Sequence, residues 1–301
     1  MTITTKIIAD SISPASVRLT TFQLRYPRFI HAEFMTHRLF SRNASSSRAI
    51  PVARMIEDLR RDPAMPIYWG GHQPGMQAGA ELTGSALQQC KDEWLIAMNM
   101  AIESAEFMVS CGLHKQIANR ILEPWAHINV VVTAVSWQNF FALRSHPDAQ
   151  PEIKMLSDLM KEEMRLTVPH ECREGEWHLP YILDSDWVSL KAYAKNGRIT
   201  RDEPSYDELV KLARMVSVAR CARVSYLTHD GRQTSVEEDM ALAEKLIVTT
   251  PLHASPAEHQ ATPDRGIQHG LEISWMNPQL HGNLTGWIQF RKMLPSEFVQ
   301  G

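Results

Sequence analysis

Two segments near the start of the chain alternate polar and β-branched residues. They are TITTKIIA at residues 2–9 and SVRLTTFQLRY at residues 16–26. A third run, INVVVTAVS at residues 128–136, is rich in valine. A period of two and an enrichment in β-branched side chains are typical of strands. The pattern therefore predicts a strand over each of these three segments.

Apolar residues recur at helical spacing through much of the remaining chain. The longest such segment begins at Ser85 and ends at Gly112, where Cys111 and Gly112 supply a helix stop. Ser235 and Glu238 stand three residues apart before an apolar run, which is the spacing of a capping box. The spacing predicts helices over residues 28–40, 52–62, 85–112, 114–124, 137–144, 151–168, 206–226 and 236–248.

Some stretches lack both patterns. Residues 63–84 are rich in Gly and Pro, which predicts an irregular segment, either an ordered loop or a lid. Residues 170–204 are also predicted to be irregular, with a turn or two of helix at residues 186–194. Strands and helices do not alternate as βαβ units, so we predict an α+β fold. No linker interrupts the chain, so we predict one domain over residues 1–301.

The composition disfavours several classes of function. The net charge is −3 and the sequence pI is about 6.5, so no broad positive field favours a nucleic-acid partner. The four cysteines are scattered without a CxxC pair, which suits a reducing cytoplasm and disfavours a cysteine-built zinc site. No apolar run reaches roughly 18 residues, and the N-terminus lacks an apolar signal region. We therefore expect a cytoplasmic protein without a membrane partner.

Several common catalytic motifs are missing from the sequence. It contains no GxSxG, GxGxxG or GxxxxGK[ST] motif, so a serine elbow, a Rossmann site and a P-loop are unsupported. His253 and His259 flank a glutamate, but Pro256 breaks the helix that an HExxH pair requires, so we predict no metal. Cys90 and Cys221 lie in predicted helices, where inert buried thiols are favoured.

The segment THRLFSRNASSSRAIPV at residues 36–52 concentrates arginine, serine and asparagine. Planar guanidinium groups and short hydroxyl donors suit a loop that binds an oxyanion, although an ordinary solvated loop is the plain alternative. Arginines also stand within or at the ends of apolar elements, at Arg120, Arg144, Arg220 and Arg223. Together with the loop, these arginines favour a convergent site for a phosphate-bearing ligand.

Five segments together resemble the flavin-dependent thymidylate synthases (the ThyX family). HRLFSRNASSSR, within residues 36–48, resembles the family signature of Arg-His-Arg followed by Ser and then Arg. ANRILEP at residues 118–124 resembles its Ala-Arg-x-x-Leu-Pro segment, and NFFALRSHPDAQ at residues 139–150 resembles its Asn-Phe-x-x-Leu-Arg segment. ARVSY at residues 222–226 matches its Ala-Arg-Val-Ser, and HASPAEH at residues 253–259 its His-x-Ser/Thr-Pro-Phe-Glu-His. The resemblance implies an α+β fold with a mixed or antiparallel sheet and long helices.

The order of these segments differs from the usual family order. In the family, the Ala-Arg-Val-Ser and His-x-Ser/Thr-Pro segments precede the signature, whereas here they follow it. The resemblance therefore implies a circularly permuted chain, in which the strand at residues 16–26 would follow HASPAEH in the ordinary arrangement. Permutation is tolerated where chain termini lie close together on the surface.

The resemblance implies roles for individual residues. Arg120 and Arg144 would be catalytic and would hold and polarise a pyrimidine nucleotide, with Arg144 near the reacting base. The nucleotide would be bound by Arg38, Ser46, Ser47, Arg48, Arg120 and Arg144, and FAD by His37, Arg38, Asn43, Asn139, Ser225, His253 and Ser255. Two phosphorylated ligands would explain why cations gather locally on a chain without a basic surface.

The family passes a one-carbon unit from methylenetetrahydrofolate to C5 of dUMP. Reduced FAD supplies the hydride, and NADPH reduces the flavin. The resemblance thus implies a methyltransferase with FAD as its cofactor and with methylenetetrahydrofolate and NADPH as cosubstrates. It also implies a homotetramer whose sites are shared between subunits. Two alternatives stay open: a flavin- and folate-dependent hydroxymethylase or methylase of dUMP or dCMP, and a non-catalytic nucleotide-binding paralogue.

The signature loop departs from the family pattern at three positions. The first Arg of the signature is Thr36 here, an acidic residue within the loop is Ala44, and the Tyr after the final Arg is Ala49. Arg42 and Arg291 are the candidates to replace the guanidinium lost at Thr36. A different base or product would arise from changes in this loop, because a site built to pair with one base edge rejects another.

Overall fold

The structure, a computed structural model, describes residues 3–198, 203–224, 232–248, 253–270, 272–295 and 297. Within these residues, strands and helices mix without βαβ alternation, so the predicted α+β fold is confirmed. None of the described helices combines the length and the apolar content that crossing a membrane requires. That the chain forms one domain stays a prediction.

The main sheet is built from strands within the first 171 residues of the chain. Its strands are β1 (Thr4–Ile12), β2 (Arg18–Pro27), β3 (Ser41–Ala44), β4 (His127–Ala134) and β5 (His170–Glu171), in the spatial order β3-β4-β2-β1-β5. The β1–β2, β2–β4 and β3–β4 pairs are antiparallel, whereas β1 pairs with β5 in parallel, so the sheet is mixed. The three predicted strands correspond to β1, β2 and β4.

Helices occupy much of the remaining chain. They are α1 (His31–Phe34), α2 (Val52–Arg61), α3 (Gly84–Ser110), α4 (Lys115–Ala118), α5 (Gln138–Arg144), α6 (Pro151–Leu166), α7 (Asp184–Tyr193), α8 (Tyr206–Arg223) and α9 (Val236–Val248). Shorter 3₁₀ turns lie at Arg28–Ile30, Ser47–Ala49, Asn119–Trp125, Ser255–Glu258, Pro278–Leu280 and Phe290–Met293, and a π turn lies at Ala194–Arg198. The small strands β6 (Ala261–Pro263), β7 (Gly266–His269), β8 (Glu272–Trp275) and β9 (Trp287–Gln289) form the pairs β6–β9 and β7–β8.

Two predicted helix ends are confirmed. Gly112 adopts a φ of 85° just after α3, the left-handed conformation that a glycine stop permits. At the start of α9, the backbone N–H of Ser235 donates to the Glu238 carboxylate at 2.9 Å. The N–H of Glu238 donates to Ser235 Oγ at 3.3 Å, which completes the capping box.

The helix predicted over residues 28–40 is wrong in extent. Only the turn Arg28–Ile30 and the four-residue α1 are helical, and the chain then enters β3. β3 forms because its backbone pairs with an edge of β4, where Ser41 lies opposite Thr133 and Asn43 opposite Val131. Before β3, the carbonyls of Met35 and His37 accept from Arg42 Nη1 at 3.0 Å each, so a side chain takes the place of helical backbone partners there.

Residues 170–204 contain more regular structure than predicted. β5 lies at the start of this stretch, and α7 extends over ten residues from Asp184. The N–H of Leu183 donates to the Asp186 carboxylate at 2.7 Å, a local bond that favours a helix start. Residues 199–202 lie outside the described part of the chain.

One face of the main sheet packs on a large apolar cluster, and the other, named here the polar face, mixes polar side chains with smaller apolar clusters. Phe22 and Leu24 of β2 are fully buried in a cluster with side chains of β4, α1, α5 and α6. Side chains alternate along a strand, so Gln23 and Arg25 of β2 point to the opposite face. The second face therefore carries the polar groups from which the candidate site is built.

A buried arginine ties three helices together. Arg220 of α8 is only 2% exposed, and its guanidinium donates to Asp186 of α7 at 2.7 and 2.8 Å and to Asp239 of α9 at 3.0 Å. It also donates to the carbonyl of Tyr181 at 2.7 Å. Removing one partner of such a pair leaves an uncompensated buried charge. Arg220 therefore holds the helices together rather than facing a ligand.

The segment at residues 63–84, named here the 63–84 loop, is irregular as predicted, and its ends are anchored. The carbonyl of Ala64 accepts from the Trp94 indole at 3.1 Å, and the N–H of Ile67 donates to the buried Glu152 carboxylate at 2.7 Å. Gly70 and Glu81 are bridged across the loop. At its tip, the side chain of Met76 is fully exposed.

HASPAEH packs against the main sheet on its β3–β4 side. The turn Ser255–Glu258 contacts β3, and His259 Nδ1 lies 2.8 Å from Thr133 Oγ1 in β4. Two residues further on, Ala261 shares an apolar cluster with Leu19 of β2. The end of HASPAEH thus lies beside the strand that it would precede in the ordinary family arrangement. This contact supports the circular permutation, which stays a prediction.

A chain of hydrogen bonds, named here the polar chain, crosses the sheet. It runs from Ser11 Oγ to His178 Nδ1 (2.8 Å), from His178 Nε2 to Thr21 Oγ1 (2.7 Å), on to Thr133 Oγ1 (2.6 Å) and then to His259 Nδ1 (2.8 Å). All five residues are buried. Burial lowers the pKa of each histidine to about 3, and His259 adds to the effect on His178. Both rings are therefore neutral in the folded protein near pH 7.

The two buried histidines should make stability depend on pH. Their folded-state pKa of about 3 lies below the ordinary value of about 6.5, so the unfolded chain binds more protons between these two values. The stabilisation is fully present above about pH 6.5 and is lost as the pH falls towards 3. Each histidine contributes at most about 1.4 kcal/mol per pH unit to this loss.

Urea denaturation at about pH 7, 6, 5 and 4 tests this expectation. His259→Gln removes one of the two groups, so it should be less stable than the wild type at neutral pH but lose less stability on acidification. His146→Gln, which changes an exposed histidine, is the matched control. An acid slope in His259→Gln equal to that of the wild type would contradict the assignment.

Candidate active site

The signature loop (residues 36–48) turns side chains in two directions. Ser47 has 2% of its surface exposed, whereas Arg38, Ser46 and Arg48 are exposed. Just after β3, the N–H of Ser45 donates to the carbonyl of Asn129 at 2.8 Å, which extends the pairing with β4. The hydroxyl and guanidinium groups of the loop are therefore divided between an inner and an outer side.

Asn119 holds the loop from its inner side. Its side chain is fully buried, and Nδ2 donates to the carbonyls of Ser47 at 2.7 Å and Ile50 at 2.9 Å. Lys115 Nζ donates to the carbonyl of Ala49 at 2.9 Å. The ANRILEP segment thus positions the end of the signature loop through backbone carbonyls, a role for Asn119 that sequence analysis missed.

A cleft of about 320 Å³, named here the arginine cleft, opens between the signature loop, α2 and the end of α8. Ser45 and Ser47 of the loop and Arg223 of the ARVSY segment line it, so two of the five family segments meet there. Its charged lining residues are Arg25, Arg28, Arg54, Arg61, Arg223, Asp58 and Asp62. Guanidinium groups outnumber carboxylates in this wall, which suits an anionic ligand.

The cleft arginines are held by carboxylates of the same chain. The pairs are Arg25–Asp62 (2.8 Å), Arg28–Glu123 (3.2 Å), Arg54–Asp58 (3.5 Å), Arg61–Asp58 (2.5 Å) and Arg223–Asp239. Arg54 and Arg61 meet Asp58 at the surface, where ion pairs contribute only about 0–1 kcal/mol each, whereas Asp239, the partner of Arg223, is fully buried. An anionic ligand can therefore exchange with Asp58 at low cost.

His127 adds a neutral group to the cleft wall. Arg25 Nη2, which can only donate, lies 3.0 Å from His127 Nδ1, so Nδ1 accepts and the ring proton sits on Nε2. Burial, followed by the positive charge of Arg25, lowers the pKa of His127 to about 4. The positive charge of the cleft therefore comes from its arginines.

Glu123 joins the signature loop to the ANRILEP segment. Its Oε1 accepts from Ser47 Oγ at 2.6 Å and from Arg120 Nη1 at 2.9 Å, and it lies 3.2 Å from Arg28 Nη2. In the family pattern Ala-Arg-x-x-Leu-Pro, this position is leucine. Arg120 therefore faces an internal carboxylate for which the family pattern has no counterpart.

Arg144 and His37 form a second cluster on α5 and the signature loop. Arg144 Nε donates to His37 Nε2 at 3.0 Å, so the proton of the imidazole sits on Nδ1. The Arg144 Nη groups reach Glu33 and Thr36 at 3.4 Å each, which are long contacts. Burial, Arg144 and Arg42 lower the pKa of His37, so this ring is neutral as well.

Arg42 lies beside Thr36, where the family has an arginine. Its Nη1 donates to the carbonyls of Met35 and His37, both at 3.0 Å, so the guanidinium brackets Thr36. Arg291, the other candidate, pairs instead with Glu258 and Glu297. Of the two arginines, only Arg42 bonds to the residues on either side of Thr36.

The structure does not gather all predicted site residues in one place. Ser47 lines the arginine cleft, Arg120 reaches the cleft wall through Glu123, and Arg144 and His37 form the second cluster. Exposed positions are occupied by Arg38, Ser46, Arg48, Asn139, His253 and Ser255. Asn43 is half-buried in β3 with no partner for its Oδ1 among the described residues, and Ser225 lies outside them.

Sequence analysis missed most of the charged groups of the cleft. Alternation along β2 places Arg25 on the face of the sheet away from Leu24. A spacing of seven residues puts Arg54 and Arg61 on one side of α2. Those signals show which residues share a face, but they do not show that the two faces meet. Across the described ranges, no three His, Cys, Asp or Glu side chains gather as metal ligands do.

Comparison with known proteins gives a family match. The family described as thymidylate synthase complementing protein matches residues 8–170, more than half of the 301 residues. This range contains the signature loop, ANRILEP and NFFALRSHPDAQ, whereas ARVSY and HASPAEH lie beyond it.

Individual relatives are more distant. The flavin-dependent thymidylate synthases of Tropheryma whipplei strains TW08/27 and Twist are each 25% identical over 169 residues, which cover 52% of this chain and 68% and 67% of theirs. Among solved structures, a UMP/dUMP methylase, PolB from Streptomyces cacaoi bound with 5-Br UMP, is 19% identical, with a TM-score of 0.47 over 55% of this chain and 89% of that one. The same enzyme bound with 5-Br dUMP gives 18% identity and a TM-score of 0.45 over 55% and 90%.

Proposed function

Because this chain belongs to the thymidylate synthase complementing family, we propose that it is a flavin-dependent methyltransferase that methylates dUMP at C5 to give dTMP. The observation that carries the proposal is the family match over residues 8–170, which contain Arg120, Arg144 and the signature loop. The relatives from Tropheryma whipplei bear the name of flavin-dependent thymidylate synthase. We further propose methylenetetrahydrofolate as the one-carbon donor and NADPH as the reductant.

The residues of the arginine cleft fit a phosphorylated cofactor. Its wall combines Ser45 and Ser47 with several guanidinium groups held by exchangeable surface pairs. Guanidinium groups and hydroxyls are the side chains that bind phosphate oxygens best. We propose that Ser45 and Arg223 hold the phosphates of FAD there, and that His37, Asn43, Asn139, His253 and Ser255 form the rest of its site. Once reduced, the bound flavin would supply the hydride of the reaction.

Arg144 is the proposed group that polarises the pyrimidine. Its Nε is fixed by His37, whereas its two Nη groups make only long contacts of 3.4 Å. The hydrogens of these Nη groups are fixed in the guanidinium plane, so they can be donated to a carbonyl oxygen of the base at the expense of only these long contacts. His37 is a neutral acceptor in this arrangement, so it positions the guanidinium without pairing its charge.

The exposed signature residues suggest how the nucleotide site is completed. Arg38, Ser46 and Arg48, predicted to bind nucleotide, are exposed and do not line the arginine cleft. Apolar residues of α3, including Met100 and Phe107, are also exposed. We propose a homotetramer in which these surfaces meet other subunits and the signature loop of one chain completes the site of another.

Light scattering on the purified protein tests the assembly. The expected mass is about four times that of the 34.2 kDa chain. Phe107→Glu should shift the mass towards smaller species, because it places a charge within an apolar contact. Glu93→Gln, also on α3, is the control. An active monomer would contradict shared sites.

A second function is favoured by the changes at Thr36, Ala44 and Ala49 in the signature loop. Loss of a guanidinium, an acid and a phenol reshapes the surface that would grip the nucleotide. Water in place of hydride would then leave a hydroxymethyl group, and an altered base edge would admit dCMP. A nucleotide-binding paralogue without activity is the third possibility.

Mass spectrometry of the product tests these proposals. The protein, incubated with FAD, NADPH and methylenetetrahydrofolate, should convert dUMP to a product heavier by CH2, since a methyl group replaces the C5 hydrogen, and should leave dCMP unchanged. Flavin absorbance that persists through gel filtration should accompany the activity. A hydroxymethyl product or conversion of dCMP alone would favour the second function. Retained flavin without any product would favour the inactive paralogue.

Arg144→Gln tests the polarising group. The substitution removes a charge-assisted contact to the base, which typically costs about 2–5 kcal/mol. We expect kcat/KM to fall by at least about thirtyfold, while flavin binding and the melting temperature change little. Arg165→Gln is the control, since Arg165 pairs with Glu162 on the exposed side of α6. Unchanged activity of Arg144→Gln would show that another arginine has this role.

A further inference from the structure

The carboxylate of Glu123 occupies a position suited to a ligand anion. Three donors from three segments converge on its Oε1: the Ser47 hydroxyl, Arg120 and Arg28. Ser47 and Arg28 also line the arginine cleft, and Arg120 is the residue assigned to nucleotide binding. The donors that an incoming phosphate would use are therefore already arranged around one oxygen.

The charges around Glu123 do not balance. Two guanidinium groups face a single carboxylate, which leaves one positive charge in excess. A phosphate monoester carries about −1.5 to −2 near neutral pH and offers three strong acceptor oxygens. Such a group can neutralise both arginines, whereas a monoanion brings no more charge than the resident carboxylate does.

Glu123 and a phosphate cannot share these arginines. Two anions in contact repel each other, and the repulsion is largest where the surroundings are partly buried. The Glu123 side chain is 22% exposed and stands on the 3₁₀ turn Asn119–Trp125 at the protein surface. It can therefore swing towards solvent by rotation of its own side chain, while Asn119 keeps the loop in place.

We propose that Glu123 is an internal substitute for the phosphate of the ligand and thereby sets how strongly an anion must bind at this site. In the ligand-free protein it holds Arg28, Arg120 and Ser47 in position, and the ligand binds by displacing it. A dianionic monoester places more negative charge between Arg28 and Arg120 than the displaced carboxylate did, whereas a monoanionic phosphodiester places the same amount. Displacement of Glu123 lowers the affinity of every such ligand by the same factor, so only an anion that binds the two guanidinium groups more strongly than a carboxylate does, as a dianionic monoester can, binds well. This proposal rests on the proposed function for the identity of the nucleotide, but its electrostatic step does not.

Calorimetric titration with two ligands separates the proposal from the function. The ligands are dUMP and its phosphate methyl ester, which has one charge fewer, and inorganic phosphate serves as a probe that needs no nucleotide site. Glu123→Gln keeps the size of the side chain but removes its charge. Glu162→Gln is the matched control, because it removes a carboxylate from a pair with Arg165 on α6.

Glu123→Gln should bind dUMP about tenfold more tightly than the wild type, because a charged carboxylate no longer competes with the phosphate for Arg28 and Arg120. The gain for the methyl ester should be of similar size, because both ligands displace the same carboxylate. KM for dUMP should fall with little change in kcat. Replacing a residue that only tightens the fold would not raise the affinity for either ligand.

The outcomes distinguish the two proposals. If the wild type binds dUMP but Glu123→Gln binds it no more tightly, Glu123 is a structural tie and the inference is wrong. If neither binds dUMP but the variant gains affinity for inorganic phosphate, the inference holds and the proposed function fails. If neither protein binds any of the three ligands, both fail.

A charge-preserving variant covers the case in which Glu123→Gln does not fold. Glu123→Asp retains the carboxylate but withdraws it by one methylene from its three donors. It should bind dUMP more tightly than the wild type, by a smaller factor than Glu123→Gln. Tighter binding by Glu123→Asp supports the inference, and unchanged or weaker binding overturns it.

Discussion

The pairing of guanidinium groups with carboxylates of the same chain is the constraint on which much of this structure depends. Breaking a buried pair by removing one partner costs about 3–5 kcal/mol, so an arginine can enter the interior only with its anion. Arg220 does so between Asp186 and Asp239, and three helices are joined as a result. Arg18 and Asp10 are paired at 2.6 Å across β1 and β2. Where the same pairing reaches the surface, it leaves cations that are already positioned for a ligand.

The polar face of the main sheet changes in character from its interior to its edge. In the interior, the polar chain joins neutral histidines to hydroxyl groups, and burial excludes charge there. Towards the cleft, Arg25 and His127 mark the transition, because a neutral ring lies against a charged guanidinium. The charged groups are thus confined to the rim, where water reduces the cost of exchanging their partners.

Local patterns predicted part of this fold well. β1, β2 and β4 follow from alternation and β-branched composition, and both predicted ends of long helices follow from Gly112 and Ser235. β3 could not be predicted in this way, because it exists only through its pairing with β4, far away in the sequence.

The candidate site was predictable only in part for the same reason. The resemblance directed attention to Arg120 and Arg144, but the partners that define their surroundings, Glu123 and His37, are found only in three dimensions. The cleft itself depends on how α2 and α8 approach the polar face of the sheet, which no local pattern contains. Arg28 shows this limit, since it stands in a segment predicted as an ordinary helix.

The 63–84 loop offers a convenient place to modify this protein. Its two arms are joined between Gly70 and Glu81 and its base is anchored at Ala64 and Ile67, so the tip is mechanically separate from the core. An exposed tip with anchored ends tolerates added sequence, because the backbone groups that matter to folding lie outside it. An affinity tag or a fluorescent label placed beside Met76 would therefore report on the intact protein while sparing the sheet.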